Sequence, residues 1–380
     1  MAVNLFTNGA GGNTWGTAGN WSLGTIPTAS DGHDTTFDAT SPNCTVNASN
    51  RVCNRITFVG YTNTITMTFR ITVSGNVTLD AGMGISGSGD LVINTGSTIT
   101  SNGKTWPNNL SSTGSSVTLT LVGDLIINGL LTIGSVQTLN KTTTETLTLN
   151  GGLNIGIVST TSSWVGSAKV ILTGGTWSHS NLGNVGLNLD IQGNVTISGN
   201  VYYRNGTITY VSGTITVTSS TLNLVTSCTL ATSGITWNNI TLSNTTALTY
   251  TINSLLSASG TLTIGTGATT TFAGTAGFSV GTLSCANTTA TTINFKESIT
   301  YTITTFLSAY FSRTGSIVLF TSSHATTKAN LVLSNGAACN CLASFTRIDA
   351  SGGRPIRSWN GAITDCINIV NFQDLKSYAT

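Results

Sequence analysis

Apolar and polar residues alternate with period two over most of this chain, from about residue 56 to residue 305. In the stretch NTITMTFRITVSGNVTLDAG, Ile65, Met67, Phe69, Ile71, Val73, Val77 and Leu79 share one parity, and Thr, Arg and Ser take the other. Successive side chains of a strand point to opposite faces, so the pattern predicts half-buried strands with one apolar face. It returns in SVTLTLVGDLIING, ETLTLNGGLNIG, LNLDIQGNVTISGNVYY, GTITYVSGTITVTSSTLNLV and GTLTIGTGATTTFAG. No window has helical 3,4 spacing until the last residues, where it is weak.

The runs are separated by Gly-Asn, Gly-Asp, Ser-Gly and Gly-Gly pairs, which supply the backbone freedom that tight corners need. Whole phrases also recur. GNVTLDAG at Gly75 resembles GDLIINGL at Gly123, GNVTISGN at Gly193, GTITVTSS at Gly213 and GTLTIGTG at Gly260. A second phrase appears as KTWPNNL at Lys104, GTWSHSNL at Gly175 and ITWNNITL at Ile235. Self-similarity at roughly 20 residues predicts stacked coils. The expected fold is therefore all-β, a parallel β-helix or β-solenoid. Roughly 240 residues make about twelve coils, a rod on the order of 55–60 Å at the spacing of paired strands. Tandem β-sandwiches are the alternative, since they too carry a strand every 8–12 residues or so. The middle of the chain shows no linker-like shift in composition, which favours the solenoid.

Both ends differ from the middle. Residues 1–55 are aromatic and rich in Asn and Gly, with Pro27 and Pro42; residues 306–380 carry denser charge, including Arg313, Arg347, Asp349, Arg354, Arg357, Asp365 and Asp374. An open solenoid core needs covers. The division expected is an N-terminal cap over 1–55, a solenoid over 56–305 and a C-terminal β module over 306–380.

Composition sharpens this picture. Only 7% of the 380 residues are charged, against about 25% in ordinary soluble proteins. Stacking explains the shortage, because a charge repeated in every coil would meet its like at about 4.8 Å. The net charge is +2, and Lys and Arg lie singly, so nucleic acid is not an expected partner. No apolar run approaches the roughly 20 residues of a helical membrane span, and a membrane is not expected either. The opening MAVNLFTNGAGG lacks a basic-then-apolar leader. The seven cysteines, Cys44, Cys53, Cys228, Cys285, Cys339, Cys341 and Cys366, are expected to remain thiols. Cys339-Asn340-Cys341 lacks the spacing of a zinc site.

Candidate chemistry is thin. The densest cluster is GNWSLGTIPTASDGHDTTFDA, with Asp31, Asp34 and Asp38 around His33. The three acids are a weak calcium candidate, although their spacing is not that of an EF-hand loop. The favoured reading is a cap in which Trp15 and Trp21 plug the first coil, Pro27 shapes a turn and the acids bind backbone amides. Solenoid enzymes that cleave polysaccharides need paired carboxylates on adjacent coils. Between Leu91 and Ile348 the acids are Asp124, Glu145, Asp190 and Glu297, and only Asp124 and Glu145 lie one coil apart. Asp124 follows Gly123, where turn bonding explains it. His33, His179 and His324 lie in no nucleophile motif, GISGSG is not a strand-to-helix elbow, and Gly9–Gly12 lacks the ending of a phosphate loop. The expectation is no catalytic residue, no cofactor and no enzyme. Exposed, Tyr202, Tyr203, Tyr210 and Trp237 are candidates for stacking flat rings on sugars, against the commoner reading of core or inter-subunit packing. A flat Thr/Asn-rich side would suit packing against further copies of the chain.

The N-terminal segment has a recognisable form. NTWGTAGNWSLGTIPTASD resembles the W-x-x-x-x-N-W-x-x-G-x-x-P-x-x-x-D segment that opens many β-helix proteins of phages and bacterial surfaces. NCLASFTRIDASGGRPIRSWNGAITDCINIVNF looks like a closing module of similar phage proteins. The two segments cover about 70 residues; the middle matches only in texture. The resemblance implies a structural protein of a virion (a head fibre, capsid decoration or tail-associated fibre) assembled in the host cytoplasm with other capsid or tail proteins and touching the host surface. The alternative it covers is a carbohydrate-binding adhesin at a bacterial cell surface, and the missing export signal favours the phage side.

Overall fold

The computed structural model describes residues 2–113, 117–134, 137–141, 145–156, 164–165, 169–179, 188–243, 246–265, 269–285, 290–309, 318–358 and 362–371. The weak helical spacing at the end of the chain lies outside these residues. The chain is all-β with almost no helix, and its strands stack as a parallel β-solenoid of about 13 turns. Neighbouring coils pair in parallel, as Leu91–Ile93 does with both Ile71–Val73 and Leu110–Ser112, whereas sandwich sheets are antiparallel. Tandem sandwiches are thereby excluded. The chain divides into two compact units, Met1–Thr196 and Ile197–Thr380.

In the N-terminal unit a coil carries three short strands, as in Arg55–Val59, Thr64–Met67 and Ile71–Val73, followed by Val77–Thr78, Gly84–Gly87 and Leu91–Ile93. The parallel register sets like on like. Ile71 lies opposite Leu91, then come Leu110, Leu131, Leu153 and Trp177, all buried. Each such side chain contributes about 1.5–3 kcal/mol when fully buried, so the column drives the stacking. Thr72, Ser111, Thr132 and Asn154 lie between them and face outwards. The parity pattern fails at Phe69, which was expected beside Met67 and Ile71 but is 39% exposed. The strand Thr64–Met67 ends before it, and the next begins at Ile71. Phe69 stands on the corner, where alternation does not apply.

Strands lengthen in the C-terminal unit. Leu256–Ile264 shifts register between Ala258 and Thr261, and Phe278–Ser284 between Val280 and Thr282, each against its neighbour. One bent strand thus serves two faces of the coil. Leu222, Ile240, Leu262, Leu283 and Leu307 form one inner column. Phe272, Phe295, Phe320 and Phe345 form a run of nearly parallel rings with centroids 5.7, 5.9 and 5.1 Å apart in turn; Phe320 and Phe345 are register partners, whereas Phe295 lies opposite Ser322 and meets Phe320 diagonally. The spacing of these phenylalanines along the chain is a signal that the alternation analysis passed over.

Corners are held by side chains of the neighbouring coil. Where the strand ladder lapses, a backbone N–H needs another acceptor, and Asn supplies it. Thr64 N–H donates to Asn43 Oδ1, Thr98 N–H to Asn76 Oδ1, Leu130 N–H to Asn109 Oδ1 and Thr261 N–H to Asn239 Oδ1, at 2.8–3.0 Å. These bonds join residues 21 or 22 positions apart, one coil. At one corner the backbones approach so closely that glycine is required. A Cβ on Gly151 would lie 2.4 Å from the Gly129 carbonyl carbon, and one on Gly175, whose φ is +70°, would lie 2.1 Å from the Gly151 oxygen. Beside this column Asn150 donates to Asn128 and accepts from the Thr173 hydroxyl, a short polar ladder along the stack.

The repeated Thr-Trp phrase does not mark one structural position. Trp106 lies opposite Ile127 in the column of Leu149 and Leu172, whereas Trp177 lies opposite Leu153 in the next column. Cys44, Cys53, Cys228 and Cys285 are buried thiols in no disulfide, and the half-buried Cys339 and Cys366 form none either; the Cys341 side chain lies outside the described residues.

Candidate functional site

The N-terminal segment is built around four rings. Trp15, Trp21, Phe6 and Phe37 are buried, and Trp21 meets Phe6, Trp15 and Phe37 edge to face at 5.1, 5.0 and 5.8 Å. Phe37 then stacks on Phe58 of the following coil at 4.9 Å, and Tyr61 closes against both. The Tyr61 hydroxyl donates to the Pro42 carbonyl at 3.0 Å. The chain between Val3–Leu5 and Asp34–Asp38, two strands that pair directly, thus folds over the end of the core and plugs it.

Each residue of the W-x-x-x-x-N-W-x-x-G-x-x-P-x-x-x-D motif has a part in this plug. Trp21 Nε1 donates to the Trp15 carbonyl at 2.8 Å. Asn20 is fully buried; its Oδ1 accepts from Ala10 N–H at 3.0 Å, and its Nδ2 donates to the carbonyls of Gly11 and Thr14. Gly24 takes a φ of +66° while its N–H donates to the Trp21 carbonyl, a turn that suits glycine. Pro27 is buried. Asp31 closes the loop after it by accepting from Thr28 N–H at 2.6 Å and His33 N–H at 2.9 Å. Asn4, also fully buried, ties the loop down by donating to the Thr25 carbonyl and accepting from Leu23 N–H. Sequence reasoning passed over Asn4 and Asn20, although the motif itself contains Asn20.

The three acids of the calcium candidate do not converge. Asp31 serves the Pro27 turn, Asp34 faces Arg55 at 3.7 Å, and Asp38 accepts from Thr40 and Ser41. The Thr40 hydroxyl, with further bonds from the Thr40 and Ser41 backbone and the Ser41 hydroxyl, holds the Asp38 carboxyl below its ordinary value against a smaller opposing effect of burial. Among the described residues no group of three or more His, Cys, Asp or Glu side chains gathers as metal ligands would.

The other candidates are scattered too. Asp124 Oδ1 accepts from Thr146 N–H of the next coil at 2.7 Å, the same corner bond that Asn forms elsewhere rather than a turn within its own coil. His324 Nδ1 accepts from the N–H groups of Thr326 and Thr327. His179 Nε2 accepts from Trp177 Nε1 at 3.1 Å. Cys339 Sγ donates to the Arg357 carbonyl. Burial pushes the Cys53 and Cys228 thiols up to about 12 and raises those of Cys44 and Cys285 as well. A nucleophilic cysteine needs the opposite shift.

For two of the candidate glycan contacts the core reading holds. Tyr203 and Trp237 are fully buried, so neither offers a face to a sugar. Parity explains both: Tyr203 follows Val201, and Trp237 follows Ile235, in the inward phase. Adjacent strand residues point to opposite faces, and Tyr202 is accordingly the half-exposed member of its pair. Tyr210 is half-buried at a corner; its hydroxyl donates to the Gly213 carbonyl, and a Cβ on Gly234 would lie 2.1 Å from its ring.

Among the described residues no helix is long and apolar enough to cross a membrane. Comparison with models of protein families, with curated proteins and with solved structures found no match.

Proposed function

We propose that this chain is a non-enzymatic structural part of a phage particle, as a head fibre, a capsid decoration or a tail-associated fibre. Its partners on this reading are other virion proteins and further copies of itself, with a contact to the host surface. The observation that carries the proposal is the use made of the N-terminal motif: the densest chemistry in the sequence goes into sealing an apolar core. That motif is also what resembles phage β-helix proteins. The rest of the architecture supports a mechanical role. Its columns of like residues and its coil-to-coil brackets make a hydrogen-bonded stack that resists bending and separation of its coils.

The test is to purify the particles assembled in a host carrying the gene and to label them with antibody to this chain. Labelled particles, with matching density by electron microscopy, are expected. Particles that lack the chain would sink the proposal. Polysaccharide cleavage by the purified protein, lost in Asp124→Asn or Glu145→Gln, would overturn its non-enzymatic part.

A further inference from the structure

His179 ends the strand Lys169–His179 in an inward register position. It lies opposite Ile155, which continues a column through Ile133, Ser112 and Ile93. An imidazole therefore joins a mainly aliphatic column. Its Nε2 stands 3.1 Å from Nε1 of Trp177, a fully buried residue. An indole N–H can only donate, so Nε2 must accept. That assigns the imidazole proton to Nδ1 and makes the ring neutral. A proton on Nε2 would set donor against donor.

Among the described residues, the strands paired with Lys169–His179 carry their charges away from its His179 end. Gly152–Ile155, which pairs with the His179 end, carries none, and neither does Thr146–Leu149. Glu145 precedes the residue opposite Lys169, at the far end of the strand. Lys169 is itself paired with Asp190 of the strand Asn188–Tyr203. That strand also carries Tyr202 and Tyr203, and burial raises the Tyr203 phenol.

We propose that the Trp177–His179 bond is a pH-sensitive clasp that holds this coil near neutrality and opens when the imidazole is protonated. The closed form requires a neutral ring, whereas the open form binds a proton with the ordinary histidine value of about 6.5. Closure is therefore complete above that pH and weakens below it. The open population rises by up to about tenfold per pH unit.

Hydrogen exchange across Lys169–His179 in the full chain, corrected for intrinsic rates, tests this at pH 7.5 and 5.0. Wild type should open up to about thirtyfold more at the lower pH. His179→Gln keeps a carbonyl acceptor without a titratable proton, and should show little pH dependence. His179→Leu, with no acceptor, should open more at both values in a constant ratio. Equal pH dependence in wild type and His179→Gln overturns the clasp. So does a nitrogen NMR spectrum of wild type showing the His179 proton on Nε2 at pH 7.5, a measurement that stands if the variants do not fold.

Discussion

The aromatic plug of the N-terminal unit and the phenylalanine column of the C-terminal unit use the same kind of side chain in opposite ways. In the plug, Trp21 meets Phe6, Trp15 and Phe37 at interplanar angles of 69°, 68° and 76°. In the column, Phe272, Phe295, Phe320 and Phe345 are nearly parallel, at 14°, 12° and 16°. Both arrangements avoid the unfavourable eclipsed sandwich, but different constraints choose between them. Where rings are register partners, as Phe320 and Phe345 are, they lie close to strand spacing and stack nearly parallel; Phe295, whose register partner is Ser322, reaches Phe320 across a two-residue offset and still lies nearly parallel to it. Phe37 and Phe58 inside the N-terminal unit are register partners too, and stack at 16°. At the end of the core no further strand imposes a register, so loop-borne rings turn edge-on and fill the volume.

This contrast can be broken most severely at the plug. Trp21→Ala removes the central ring and its bond to the Trp15 carbonyl, and should cost about 3–5 kcal/mol. Chemical denaturation measures it, and binding of a hydrophobic dye should rise as the core end is uncovered. In the column the sharper substitution is Phe295→Leu, which keeps an apolar side chain but ends the stack. It should cost about 1–2 kcal/mol, less than Phe295→Ala at about 3–5. If Phe295→Leu and Phe295→Ala were equally damaging, stacking and not burial would dominate the column.

Corner brackets should behave alike in the two units. Asn109→Ala leaves Leu130 N–H without its acceptor, and Asn239→Ala does the same to Thr261 N–H. Each should cost about 1–3 kcal/mol, read as a shift in the denaturation midpoint. A large difference between them would mean that the corners are not equivalent.

The smallest expected effect is in acid. The Lys296 ammonium and then the Ser323 hydroxyl hold Glu297 well down, to about 2. A lowered folded-state value means that the contribution is present above the ordinary value of 4.5 and fades as the pH falls towards about 2. Glu297→Gln should therefore lie slightly below wild type at pH 6 and converge with it near pH 2, in denaturation midpoints measured across that range.

Alternation, the scarcity of charge and the returning glycine phrases were enough to identify a parallel coil, because a stack repeats its local rule in every turn. The burial of Trp15 and Trp21 has a related reason: both stand where the repetition has not begun, beside an apolar end that needs a cover. Other features became visible only in three dimensions. Phe69 lost its inward place because corners reset the phase of alternation, and a shift of one residue exchanges inside for outside. Tyr203 and Trp237 are open to both a glycan-contact and a core reading by residue type, and their parity with Val201 and Ile235 places them inside. The stacking of Phe272 on Phe295 depends on which residues of successive coils come to lie opposite one another. Loop length sets that alignment, so the tertiary structure alone decided which side chains form a column and which corner each asparagine closes.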